Sequence, residues 1–337
     1  MRVTALSGGI GGARFLRGLL THLDTVPPAP GSQHRLDVIV NTADDMWLFG
    51  LRVCPDLDTV MYTLGGGIDE ARGWGRRDES WHAKEELAAY GVEPTWFGLG
   101  DRDLATHIVR TQMLGAGYPL SAVTAALATR WPTRHSTQIR LLPMSDDRAE
   151  THVVIDDPAS HSGRRAVHFQ EYWVRLHAKV PARGIVVVGG DDAKPAPGVL
   201  EAIRDADVLL VPPSNPVVSV GTILGVAGIR DAVLSTRAPV VGVSPIVANR
   251  PVRGMADAVL AAIGVEATAG AVARHYGART GGGVIDGWLV DSSDEASVVE
   301  VQSAGIACRA IPLMMTDVAA TAGMAAQALT LAQDVRR

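Results

Sequence analysis

Five short apolar runs constrain this chain more than any other feature: Val3–Leu6, Leu36–Val40, Ile185–Val188, Val208–Val211 and Val240–Val243. Each meets Gly, Pro or Asn within two residues of its end, and helical patterns follow. Strands apolar on both faces belong in a parallel sheet covered by helices. Helical periodicity falls at Gly12–Leu23, Pro55–Leu64, Leu104–Leu114, Leu120–Trp131, Asp257–Ile263 and Val318–Asp334. With 337 residues, 47% hydrophobic and 20% charged, the chain can bury a sizeable core, which excludes a disordered protein. The expected fold is α/β: a doubly wound, mostly parallel, Rossmann-like sheet.

Between residues 69 and 175 the pattern changes. A helical segment from about Asp69 to Trp131 reads as an insertion crossing the strand ends. Thr137–Leu142, Thr151–Ile155 and Arg165–Phe169 alternate apolar and polar residues, and read as a small strand-rich extension beside the main sheet. The expected organisation is therefore a core of residues 1–68 and 176–337, interrupted by an inserted region of residues 69–175.

Cys54 and Cys308, the only cysteines, cannot build a disulfide framework or a four-thiolate zinc site, so the expected location is the reducing cytoplasm. No apolar run approaches the about 20 residues of a membrane span. The start, MRVTALSGGIGG, breaks at glycine too early for a signal peptide. A net charge of −5 argues against a nucleic-acid-coating protein.

Three segments fall where strands end, the place ligands bind in open α/β sheets. Ser7-Gly8-Gly9-Ile10-Gly11-Gly12 precedes a helix whose first N–H groups suit a phosphate, although Arg14 breaks the dinucleotide glycine spacing. A tight structural turn is the alternative, but four glycines exceed what a plain turn requires, which favours a phosphate site. Asn41-Thr42-Ala43-Asp44-Asp45 and Pro55-Asp56-Leu57-Asp58 supply carboxylates a dozen residues apart. If the loops converge, Asp45 and Asp58 make an oxygen half-shell for magnesium; if not, they are a polar turn and helix-start acids. Pro212-Pro213-Ser214-Asn215-Pro216 holds a hydroxyl and an amide in a rigid turn, fit for phosphate or a base. Leu99–His107 reads as a capped helix start with His107 in the core, and Pro143–Asp147 as a polar turn. Gly189-Gly190-Asp191 and Ser244-Pro245-Ile246 end further strands, as candidate walls of the same pocket. These residues alone reach a magnesium-assisted enzyme acting on a phosphate-bearing, nucleotide-like ligand.

Eight segments in order make the chain resemble the CofD/FbiA family of coenzyme F-420 biosynthesis: SGGIGG, NTADDMW (Asn41–Trp47), PDLDTVMYTL (Pro55–Leu64), LGDRDLATH (Leu99–His107), LPMSDD (Leu142–Asp147), HFQEYWV (His168–Val174), PSNPVVSVG (Pro213–Gly221) and VSPIV (Val243–Val247). The resemblance implies a phosphoenolpyruvyl or 2-phospholactyl transferase. Its donor is an enolpyruvyl- or lactyl-diphosphoguanosine, its acceptor the deazaflavin Fo, its leaving group GMP, and its product dehydro-F-420-0 or F-420-0. It places the donor diphosphate near Ser7, Gly8, Gly9, Gly11, Gly12 and Asn41, with Ser214 and Asn215 closing from the other side. It makes Asp45 and Asp58 the catalytic, magnesium-binding acids, and sets Fo near Asp58, Asp44 and Gly98. Gly98 stands where archaeal-type relatives carry a basic residue, so Fo contacts there fall to backbone or aromatic groups. The Arg- and Ala-rich composition resembles an actinobacterial member, for which the enolpyruvyl donor is expected. Family analogy and the apolar Val318–Ala332 helix imply a homodimer. The rival is a YvcK-type nucleotide-sugar-binding regulator, which shares a Gly-rich start.

Overall fold

A computed structural model describes residues 1–336. From the amino terminus, β1 (Arg2–Ser7) leads into α1 (Gly9–Leu23) and β2 (Arg35–Val40). A hairpin of β3 (Met46–Leu48) and β4 (Leu51–Val53) precedes helices α2 (Pro55–Leu64), α3 (His82–Ala89), α4 (Asp101–Gly115) and α5 (Leu120–Ala128). Next come β5 (Gln138–Pro143), β6 (Glu150–Asp156), β7 (Arg164–His168) and β8 (Ala182–Val188). The second half runs through α6 (Val199–Arg204), β9 (Val208–Val211), α7 (Val220–Gly225), α8 (Ile229–Ser235) and β10 (Val240–Val243). It continues with β11 (Ile246–Val247), β12 (Arg250–Pro251), α9 (Ala256–Ala262) and α10 (Ala269–Tyr276), and ends with β13 (Gly287–Asp291), α11 (Ser297–Ser303), β14 (Ala307–Ile311) and α12 (Val318–Asp334).

Seven strands form one parallel sheet in the order β14-β13-β10-β9-β1-β2-β5. Every residue of β9, β10 and β13 is buried, as is all of β1 except Arg2. Successive side chains point to opposite faces, so Leu209 joins Val240 and Trp288 in one core while Leu210 joins Val241 and Leu289 in the other. On that second face α1 buries Phe15, Leu16, Leu19, Leu20 and Leu23, each large side chain contributing about 1.5–3 kcal/mol. Helix α12 packs against it, and the two approach closely because residue 18 is glycine. A Cβ there would lie 2.5 Å from Thr321 Cγ2.

The chain steps from β1 to β2 and β5 on one side, then returns to lay β9, β10, β13 and β14 on the other. The strand order thus reverses between β1 and β9. There the loops leaving the carboxyl ends part and open a crevice.

The doubly wound α/β expectation holds, with local differences. Ile185–Val188 lies within β8, which pairs antiparallel with β6 in a separate three-stranded sheet, β7-β6-β8. Val186 and Val188 are exposed there, and four apolar residues in a row cannot show which sheet they join. The Thr137–Leu142 run, expected in the strand-rich extension, instead forms β5 and pairs parallel with β2 at the edge of the main sheet. Strands β13 and β14 complete its opposite side without having been anticipated.

Candidate active site

The first wall of the crevice is the turn after β1. Gly9 adopts φ +60°, the left-handed region that favours glycine, as the chain enters α1. Gly11 and Gly12 answer a different need. A Cβ at Gly11 would fall 2.3 Å from the Pro213 carbonyl oxygen, and one at Gly12 would fall 2.2 Å from Ser7 Oγ and 2.5 Å from Ser214 Oγ. The turn is therefore pressed against the Pro-rich loop after β9. Ser214 Oγ accepts from the Gly8 N–H at 3.1 Å and donates to the Gly8 carbonyl at 2.9 Å. Asn215 Oδ1 accepts from the N–H groups of Val217 and Val218 at 2.9 and 3.1 Å, which fixes that turn from within.

The second wall is acidic. Asp44 lies just past β2 and Asp56 in the first turn of α2, and both line the cleft beside Gly8 and Gly9. Asn41 stands behind them. Its Nδ2 donates to Asp56 Oδ2 at 3.0 Å, and its Oδ1 accepts from Thr222 Oγ1 at 2.8 Å. Burial pushes the Asp56 carboxyl up to about 6, despite help from Asn41 and the Gly9 N–H. Burial, followed by the charge of Asp56, holds Asp44 well above the usual carboxylate range. Asp44 Oδ1 is buried without a hydrogen-bond partner.

Asp45 and Asp58 face away from this opening. Asp45 is fully buried and pairs with Arg52 Nη2 at 3.2 Å; burial raises it to about 7 against the pull of Arg52. Asp58 is gripped by both terminal nitrogens of Arg110, one of them 3.1 Å from Asp58 Oδ2. Arg110 Nη1 also reaches the Arg52 carbonyl at 3.3 Å and lies 3.1 Å from His107 Nδ1. His107 is buried, as expected, with Asp103 beyond it. Asp58, Asp103 and His107 cluster closely enough to ligate a metal, but the Arg110 guanidinium already neutralises Asp58. The acids thus divide by position. Asp44 and Asp56 point to the cleft and are the pair able to hold a hard cation there, while Asp45 and Asp58 anchor the same two segments to arginines beneath.

The whole cleft has a volume of about 350 Å³ and also carries aromatic side chains: Trp74, Phe97, Phe169 and Trp173. Trp173 comes from a π-helical turn at Glu171–Arg175, and Gly98 lies beside Phe97 against Trp81. Of the donor-side residues anticipated from sequence, Gly8, Gly9, Gly11, Ser214 and Asn215 line the cleft. Ser7, Gly12 and Asn41 support it from behind. Arg14 was noted only for breaking the glycine spacing, and Arg52, Arg110, Arg253 and Trp74 were not singled out. Only Arg110 left a signal, since it lies three residues after His107 and so shares its helix face.

Residues 3–318 match the family model described as 2-phospho-L-lactate transferase CofD. A phosphoenolpyruvate transferase of Streptomyces griseus subsp. griseus is 65% identical, with 100% of both chains covered. One of Kitasatospora aureofaciens is 66% identical over 100% of this chain and 99% of that protein. One of Mycobacterium avium is 57% identical over 98% and 99%. Among solved structures, protein BH3568 from Bacillus halodurans superposes with a TM-score of 0.62 at 18% identity, covering 97% of this chain and 99% of that one. At that identity the likeness is one of fold.

Proposed function

The chain belongs to the CofD family of 2-phospho-L-lactate transferases, and on that premise we propose that it moves a phosphoenolpyruvyl group from a guanosine diphosphate donor to the deazaflavin Fo. The names of the actinobacterial relatives favour the enolpyruvyl over the lactyl donor. In the reaction, the terminal ribityl hydroxyl of Fo attacks the phosphorus bearing the three-carbon group. The bond from that phosphorus to the GMP oxygen breaks, GMP leaves with the electron pair, and the hydroxyl proton passes to a cleft carboxylate.

One observation carries the reading: two buried carboxylates, Asp44 and Asp56, face the same crevice as the glycine turn and the α1 amino terminus. Such a pair repels itself, and Asp44 keeps an unpartnered oxygen. Oxygen donors of this kind fit magnesium, which usually takes one or two carboxylates, water and substrate phosphate. Bound there, magnesium would neutralise charge developing on the transferred phosphate. The chain itself supplies alignment. The first N–H groups of α1 face the diphosphate, and the Pro213–Asn215 turn fixes its far side. Trp74, Phe97 and Trp173 provide flat apolar surface for the ring systems, with Gly98 leaving room beside Phe97. Asp45 and Asp58 act one layer back, where Arg52 and Arg110 hold the two acidic segments in place.

The test is incubation with Fo, magnesium and each synthetic donor, followed by mass analysis. Expected are GMP and an Fo adduct heavier by a phosphoenolpyruvyl group. Unchanged Fo with both donors contradicts the proposal.

A further inference from the structure

We propose that Arg14 and Arg253 together bind the carboxylate of the donor's three-carbon group, so that this pair, rather than the glycine turn, reads the group being transferred. The inference rests on the donor assigned above.

Both side chains line the cleft. Arg14 lies in the second turn of α1, and helical side chains lean toward the amino terminus, which carries its guanidinium back toward the crevice. Its Nη2 donates to the Glu70 carbonyl at 3.3 Å. Arg253 follows β12 and donates from Nη2 to the Arg72 carbonyl. The loop supplying these two carbonyls packs tightly across the site. A Cβ at Gly73 would stand 2.8 Å from Arg253 Nη1 and 3.2 Å from Ile10 Cγ2.

Both arginines that line the cleft lack a counter-ion. Among the described residues no carboxylate lies within 4 Å of either guanidinium. The acids of the neighbouring loop are already engaged, Glu70 by Arg17 and Asp69 by Arg72. Arg52 and Arg110 below the cleft have their own aspartates. Two guanidiniums are thus held by backbone carbonyls beside one cleft, and partial burial and the Arg14 charge both weigh against the charge on Arg253. A bound anion relieves that repulsion, and a planar carboxylate matches the guanidinium fork.

The cation and the α1 amino terminus already serve the diphosphate, which leaves the carboxylate as the donor's remaining anion. Asp56 sits against Gly8 and Gly9, which places the cation and the diphosphate at the start of α1. Arg253 lies beside Gly73, which in turn faces Ile10. In an enolpyruvyl or lactyl phosphodiester the carboxylate is attached to the carbon bearing the phosphate oxygen, so one cleft can hold it together with the diphosphate.

The experiment compares wild type with Arg14→Gln, Arg253→Gln and Arg253→Lys. Magnesium is present throughout, and binding of the intact donor, of GDP and of a guanosine diphosphate isopropyl ester is measured by calorimetry. Each Gln variant is expected to weaken donor binding about tenfold or more, the worth of a charge-assisted hydrogen bond. GDP and the isopropyl ester should bind within about twofold of wild type on the same scale. The Lys variant, which keeps charge but loses the fork, should fall between. Equal losses for donor and GDP assign the pair to the diphosphate and overturn the proposal. So does a wild type that binds the donor no more tightly than the isopropyl ester. Normal donor binding with no Fo adduct counts against the transfer reading alone.

Discussion

Ser214 and Gly8 are joined twice: the serine hydroxyl accepts from the Gly8 N–H at 3.1 Å and donates to the Gly8 carbonyl at 2.9 Å. The loop after β9 and the turn after β1 therefore move as one unit, at the point where the strand order reverses. Ser214→Ala strands two buried backbone groups, at a cost of about 1–3 kcal/mol each. Urea denaturation of this variant should show that loss, together with weaker GDP binding. Gly12→Ala, whose Cβ would press on the same hydroxyl at 2.5 Å, should weaken GDP binding further. Wild-type affinity in both variants would separate the two loops functionally.

Beneath the cleft, Arg110→Met leaves the Asp58 carboxylate buried and unpaired. Breaking a buried pair in this way costs about 3–5 kcal/mol. Adding Asp58→Asn should recover most of that, because the remaining group is then neutral. Equilibrium unfolding of the two variants checks the order, and a double variant no better than Arg110→Met would contradict it.

His168 offers a pH signature. Its Nδ1 accepts from the Gln170 N–H at 3.1 Å and its Nε2 lies 3.3 Å from the Asp45 carbonyl, a pattern that suits the neutral ring. Burial, the largest cause, holds its pKa below 6.5 in the fold. Below that value the unfolded chain binds the proton more readily, so this residue's contribution to stability is lost as pH falls. The stability of His168→Gln relative to wild type should therefore rise between pH 7 and pH 5. A flat difference would show that His168 protonates equally well in both states.

Magnesium should raise the melting temperature of the wild type, because a ligand that binds only the folded state stabilises it by mass action. Asp56→Asn and Asp44→Asn should each abolish the rise, while chelation abolishes adduct formation. Asp45→Asn, one layer back, should keep most of it. A rise that survives loss of Asp44 and Asp56 but vanishes with Asp45 or Asp58 would move the cation to the inner pair.

Legibility from sequence followed unbroken apolar runs rather than burial alone, for β13 is wholly buried yet carries only Trp288, Leu289 and Val290 between Gly287 and Asp291. Strands β1, β2, β9 and β10 stood out because their runs are almost wholly apolar. Strand β14 did not, since Arg309 interrupts it and it lies half-buried at the sheet edge. The Gly8–Gly12, Asn41–Asp45, Pro55–Asp58 and Pro213–Asn215 segments were recognisable as partners because each ends a strand or hairpin beside the crevice. Which of two neighbouring acids faces the opening was not. That choice is made by Arg52 and Arg110, the second of them 52 residues from the aspartate it holds. Arg253 was equally hidden, because only tertiary folding brings it to the cleft that Arg14 also lines.

The most direct test follows phosphorus by nuclear magnetic resonance during a single turnover with Fo, magnesium and the enolpyruvyl donor. The two coupled diphosphate signals should disappear only when Fo is present, replaced in equal amounts by a GMP monoester signal and one phosphodiester signal. Persistence of the diphosphate signals, or their loss without Fo, would contradict transfer to the deazaflavin.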